Sequence, residues 1–167
     1  MKTKKSGLVV LVVVILGIAG LSGGAVGGKI PLPNDTKAPL PNDINIVTPP
    51  TDLPPEIRAF SGKWAGKWDH FRDAILIVER INLNDALIVY AWGKVPIWRR
   101  AGEGHRRFEA KVYFGPKQPF IEFEIKRVDQ PVVTFEMQKD LNTIKGFWVW
   151  IVGDARPIMR IIMKRID

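Results

Sequence analysis

From residue 56 onward the chain predicts an all-β domain, an antiparallel up-and-down barrel of about eight strands, with a β-sandwich as the alternative. Three observations carry this. Short runs alternate apolar and polar residues with period two, as half-buried strands do. Clusters of Gly, Pro, Asn and Asp interrupt those runs at spacings of roughly ten residues. Between them no run has the helical apolar period of an amphipathic segment. Short turns favour hairpins between consecutive strands, and closure removes the edges such a sheet would otherwise expose.

The elements follow in order. Leu53–Phe60 predicts a short helical turn, with Pro55 in its first turn and Glu56 near the positive end of the helix dipole. Phe60, Gly62, Trp64, Gly66 and Trp68 then share one strand face, against Ser61, Lys63, Ala65, Lys67 and Asp69 on the other. Ala74–Ile81 is β-branched and apolar, Asn82–Asp85 turns the chain, and Ala86–Trp92 is a strand ended by Gly93. A short segment follows at Val95–Trp98, and Arg99–Arg107 reads as a loop with two glycines. Phe108, Ala110, Val112 and Phe114 alternate next, then Ile121, Phe123 and Ile125, then Val133, Phe135 and Met137. Thr143–Val152 is apolar on both faces, and Ile158–Ile166 closes the chain with Met159, Ile161 and Met163 on one face.

The N-terminus predicts an address, not a domain. Met1–Lys5 is a short basic region, Leu8–Leu21 an apolar run of 14 residues, and Ser22–Gly28 a stretch of small residues. This is the layout of a secretory signal over residues 1–28, with Ala25 suited to cleavage. An uncleaved membrane anchor over residues 6–28 is the alternative, because the uncharged stretch approaches the ~20 residues that span a bilayer. Either way the rest of the chain is expected outside the cytoplasmic membrane, periplasmic or extracellular. Residues 29–55 read as a Pro-rich linker carrying PLPND twice, at Pro31–Asp35 and Pro39–Asp43. An extended spacer and a docking motif are both open readings of that repeat.

The net charge is +8, of which three belong to Lys2, Lys4 and Lys5. The remaining +5 favours anionic partners only weakly. Export separates the domain from nucleic acid. With no cysteine the fold needs no disulfide and carries no lipid-modified cysteine.

Gly62-Lys-Trp64 at the start of the first strand resembles the Gly-x-Trp signature of the calycins, the lipocalin-like and avidin-like barrels. That resemblance implies a barrel whose floor is closed by Trp64, with Arg160, Lys164 or Arg165 packing across it as a cation–π partner. Over Phe60–Gly93, FSGKWAGKWD, LIVERI and ALIVYAWG in order resemble a bacterial export-associated domain found alone or beside serine hydrolases. The match covers about a third of the domain and lacks the hydrolase, so no catalysis carries over.

The residue inventory argues against an enzyme. Ser61 is the one serine beyond the predicted signal, and it lacks nucleophile-elbow glycines. His70 with Asp69 and Asp73 could form a mixed metal-ligand set, but reads better as a solvated turn. Gly102 and Gly104 flank Glu103 and open no helix, so they are no phosphate loop. Glu122 and Glu124 sit on an outer strand face. No metal and no cofactor is expected. Binding is the remaining expectation, of a small apolar ligand or an anionic envelope component. An apolar ligand would use Tyr90, Trp92, Trp98, Trp148 and Trp150 at a barrel mouth. An anion would use Arg99, Arg100, His105, Arg106 and Arg107 around a glycine-rich tip. The bland alternatives are aromatics that fill the core and a solvated loop.

Overall fold

In a computed structural model of the chain, residues 36–69, 71–95, 102–115, 118–125, 131–150 and 156–166 are described. The predicted signal or anchor, the first PLPND, His70, Trp98, Arg99 and Arg100 lie outside them.

Eight strands close into one antiparallel barrel in chain order. They are β1 (Gly62–Trp68), β2 (Arg72–Ile81), β3 (Asp85–Trp92), β4 (Gly104–Phe114), β5 (Pro119–Glu124), β6 (Val132–Met137), β7 (Thr143–Val149) and β8 (Ile158–Ile166). Each pairs with its neighbours in sequence, and β8 returns to β1 with Lys63 opposite Ile166 and Gly66 opposite Met163. The sandwich alternative is thereby ruled out. Period-two alternation sets which side chains enter. Trp64 and Trp68 of β1, Leu76 and Val78 of β2, Ile88 and Tyr90 of β3, Phe135 of β6 and Ile161 and Met163 of β8 form one buried cluster. Burying each such side chain stabilises the fold by about 1.5–3 kcal/mol. The seam beside β8 needs small residues. A Cβ on Gly146 of β7 would fall 2.5 Å from Ile161 Cγ2 and 2.6 Å from Phe135 Cε1.

A four-residue helix, α1 (Pro55–Arg58), precedes β1 as the sequence predicts, with proline in its first turn. Leu53, Ile57 and Phe60 around it join the interior cluster at the end where β1 begins, here the lower end. There Trp64 Nε1 donates to the Phe60 carbonyl at 2.8 Å.

One sequence expectation changes. The strand β4 begins at Gly104, so Arg106 and Arg107 lie in a strand and not in a loop. They pair with Tyr90 and Val89 of β3, whose hydrogen-bonding groups draw the chain into the sheet. Of the Val95–Trp98 segment only Val95 is described, and it is buried outside any strand. The proline-rich stretch, for its part, lies along the barrel over residues 37–47. Ala38, Leu40 and Ile44 pack on Ala65, Ile75, Ile77, Val89 and Ala91, the outward residues of β1, β2 and β3. This strap explains why β2 and β3 are apolar on both faces, since both faces are covered.

Candidate functional site

The interior is filled from the floor upward. Arg165 of β8 seals the lower end. Its guanidinium carbon stands 4.3 Å from the Trp64 ring centroid. Nη1 donates to the Ser61 carbonyl at 2.8 Å and Nη2 to the Ala59 carbonyl at 2.6 Å. Gly62 makes this possible with φ +117°, a conformation that disfavours side chains, and its hydrogen faces Arg165. The expected closure by Gly62, Trp64 and a late basic residue is therefore made by Arg165. Arg160 does not share it: its exposed side chain belongs to the other end of β8, where its backbone pairs with Asp69.

Above the floor the space is occupied by rings. Trp68 Nε1 donates to the Tyr90 hydroxyl at 2.7 Å. Around Tyr90 stand Phe123 at 5.7 Å, Trp92 at 6.0 Å, Trp148 at 6.2 Å and Phe135 at 6.3 Å between centroids. Tyr90 is fully buried, and that burial pushes its phenol far above the usual range. Two hollows among the described residues lie on the outside of the barrel wall, along β2, β3 and β4. Among the described residues these rings pack on one another. Tyr90 consequently belongs to the packing.

The upper end differs from the lower. Trp92, Phe108, Ile125, Trp150 and Met159 are only partly buried there and rest on the ring cluster. Trp92 fits over Gly104, whose missing Cβ would lie 2.9 Å from the indole, and its Nε1 reaches the Gly102 carbonyl at 3.1 Å. Trp148 packs between Trp150 at 5.7 Å and Trp68 at 5.8 Å. Its Nε1 is buried and has no hydrogen-bond partner among the described residues. An unshared buried donor costs about 1–3 kcal/mol. On β4, Arg106 shares the inward side of Phe108 and sits over that ring at 5.4 Å, with an exposed side chain. No ion pair holds it among the described residues. Among the described residues the set brings the Trp148 N–H and the Arg106 guanidinium beside apolar ring surface.

Strand alternation splits the remaining anion candidates. His105 and Arg107 face outward, His105 exposed. Arg107 is already engaged. Its Nε and Nη2 meet the two Glu79 carboxylate oxygens at 2.7 and 3.0 Å, and Nη1 and Nη2 reach the Asp43 carboxylate and carbonyl at 3.2 Å each. The convergence of arginines expected at one tip therefore does not include Arg107. The Arg107 hydrogen bond holds the Glu79 carboxyl below its ordinary value against the opposing effect of burial, and it lowers Asp43 likewise. Sequence reading missed this clasp. Glu79 was a lone acid in an apolar strand, and that strand's two-sided apolar character was the available sign of an outer cover.

No protein-family model, no curated protein and no solved structure matches the chain.

Proposed function

We propose that the chain is an exported, non-catalytic binding domain of calycin-like type. It takes a small apolar or amphipathic ligand at the upper rim of the barrel rather than deep inside it. The observation that carries this reading is the buried Nε1 of Trp148, which has no partner among the described residues, in a cluster against which the partly exposed rings of Trp92, Phe108 and Trp150 pack. A ligand oxygen that accepts from this N–H removes its cost, and apolar atoms of the ligand cover the rings. Arg106 adds a preference for ligands with negative charge.

The test is intrinsic tryptophan fluorescence of the full chain, titrated with a panel of amphiphiles that carry carbonyl or carboxylate oxygens. A saturable shift is expected, weakened about tenfold or more by Trp148→Phe, which keeps an aromatic ring and removes the donor. Equal affinity of the variant would overturn the assignment of Trp148. A second reading is contact with an anionic envelope component, favoured by the exposed Arg106 beside the rim rings, which forms no ion pair among the described residues. That contact would respond to polyanions, weaken as salt rises and fall with Arg106→Gln.

A further inference from the structure

The strap seat and the PLPND repeat have one explanation in common. The seated copy is longer than five residues, because Lys37-Ala-Pro-Leu-Pro-Asn-Asp43 matches Lys29-Ile-Pro-Leu-Pro-Asn-Asp35 at six of seven positions. Every contact of the seated copy uses a feature that the other copy also carries. The Lys37 amide donates to Asp73 Oδ2 at 3.1 Å. The Lys37 carbonyl lies against Gly93, where a Cβ would come within 2.3 Å. Ala38 and Leu40 pack on the apolar outer face of β1–β3. Asp43 pairs with Arg107 through its carboxylate and its carbonyl. In the first copy the equivalents are the Lys29 backbone, Ile30, Leu32 and Asp35.

The geometry points to the outer face of β1–β4, from Asp73 and Gly93 to Glu79 and Arg107, as a peptide-recognition groove for a Lys-apolar-Pro-Leu-Pro-Asn-Asp segment, with residues 29–35 of the same chain as its second occupant. The strap then has two registers eight residues apart. Two differences make the observed register the major one. Ile44, packed on the apolar face, is replaced by Thr36 in the shifted register. Val47, whose amide donates to the Glu79 carbonyl at 2.7 Å, is replaced by Pro39, which has no N–H to give. Proline-rich peptides suit such a groove because little backbone freedom is lost when they are seated. The shifted register passes eight residues of slack to the stretch between groove and α1.

The test uses the full chain, which has no native cysteine. Lys67 of β1 forms an ion pair with Asp73 at 3.2 Å, and so marks the Lys37 end of the groove. Lys67→Cys with Lys37→Cys, bridged by a short bismaleimide, reports the observed register, and Lys67→Cys with Lys29→Cys the shifted one. The second pair is expected to crosslink within one molecule at a minor yield. Thr36→Ile, which supplies the missing apolar contact without touching residues 37–47, should raise that yield several-fold. Leu40→Ala with Asp43→Ala should raise it further, and Leu32→Ala with Asp35→Ala should reduce it to background. A yield indifferent to Thr36→Ile and to the Leu32/Asp35 changes would overturn the proposal, as would crosslinks that form only between molecules.

Discussion

Tyr90 and Trp68 hold each other inside the barrel through one hydrogen bond, the indole N–H donating to the phenol oxygen at 2.7 Å. No water reaches this point, since Trp68 and Tyr90 are both buried. Removing only the hydroxyl therefore leaves a buried donor without an acceptor. Tyr90→Phe should destabilise the domain by about 1–3 kcal/mol, read from the denaturant midpoint. Tyr90→Phe combined with Trp68→Phe should cost less than the sum of the two single changes, because the second removes the stranded donor. At this scale the sequence was readable where a face was fixed by alternation, as for Trp64, Trp68, Trp148 and Trp150. It did not say which aromatic would be packed and which would reach a rim. Tyr90 and Trp92 differ by two positions on one face, and only their height along the strand separates a structural ring from a partly exposed one.

Strap, β2 and β4 form the element-level unit, and an ion pair holds it. The Glu79 side chain is 4% exposed and that of Arg107 37%. Arg107→Ala would strand a nearly buried carboxylate, and the denaturant midpoint should fall. Glu79→Gln should cost less, since a neutral amide is left behind in place of a charge. The same pair predicts a pH dependence. Both Glu79 and Asp43 have depressed values in the folded protein, from 4.5 and 3.8 respectively. Their stabilisation is then complete above the unfolded values and is lost as pH falls through the folded ones. Denaturant midpoints measured between neutral pH and about pH 3 should fall on the acid side, and Arg107→Ala should flatten that fall. An unchanged acid slope in the variant would remove the clasp from the account. The strap was hidden in the sequence because proline density is read locally as spacer. Its partner face, Ile75, Ile77, Val89 and Ala91, was visible only as an excess of apolar residues in β2 and β3.

Closure is a property of the whole molecule, and no local signal announces it. The strands were legible because period two is written in each of them. The β1–β8 pairing joins residues about a hundred positions apart and depends on the barrel's curvature. Its trace in the sequence is small: Gly62 and Gly66 on β1, where a Cβ on Gly66 would come within 2.4 Å of the Ile162 carbonyl. Such a seam should make the barrel unfold as one unit, because each strand is held on both sides and none is an edge. Ile162 separates the contribution of pairing from that of burial. It lies in the middle of β8 with its side chain 48% exposed, opposite Lys145 of β7. Ile162→Thr should therefore leave stability within about 0.5 kcal/mol of the parent, as surface changes do. Ile162→Pro alters the exposed face no more severely, but it removes a ladder N–H and fixes φ in a central strand, at an expected cost of about 3 kcal/mol or more. With closure shared by all eight strands, that loss should appear as a shift of a single transition. It should be seen equally by far-UV dichroism, which reports the sheet, and by fluorescence of the buried Trp64 and Trp68. Two separated transitions would mean that β8 detaches while the other strands persist, and that the barrel's stability does not depend on its closure.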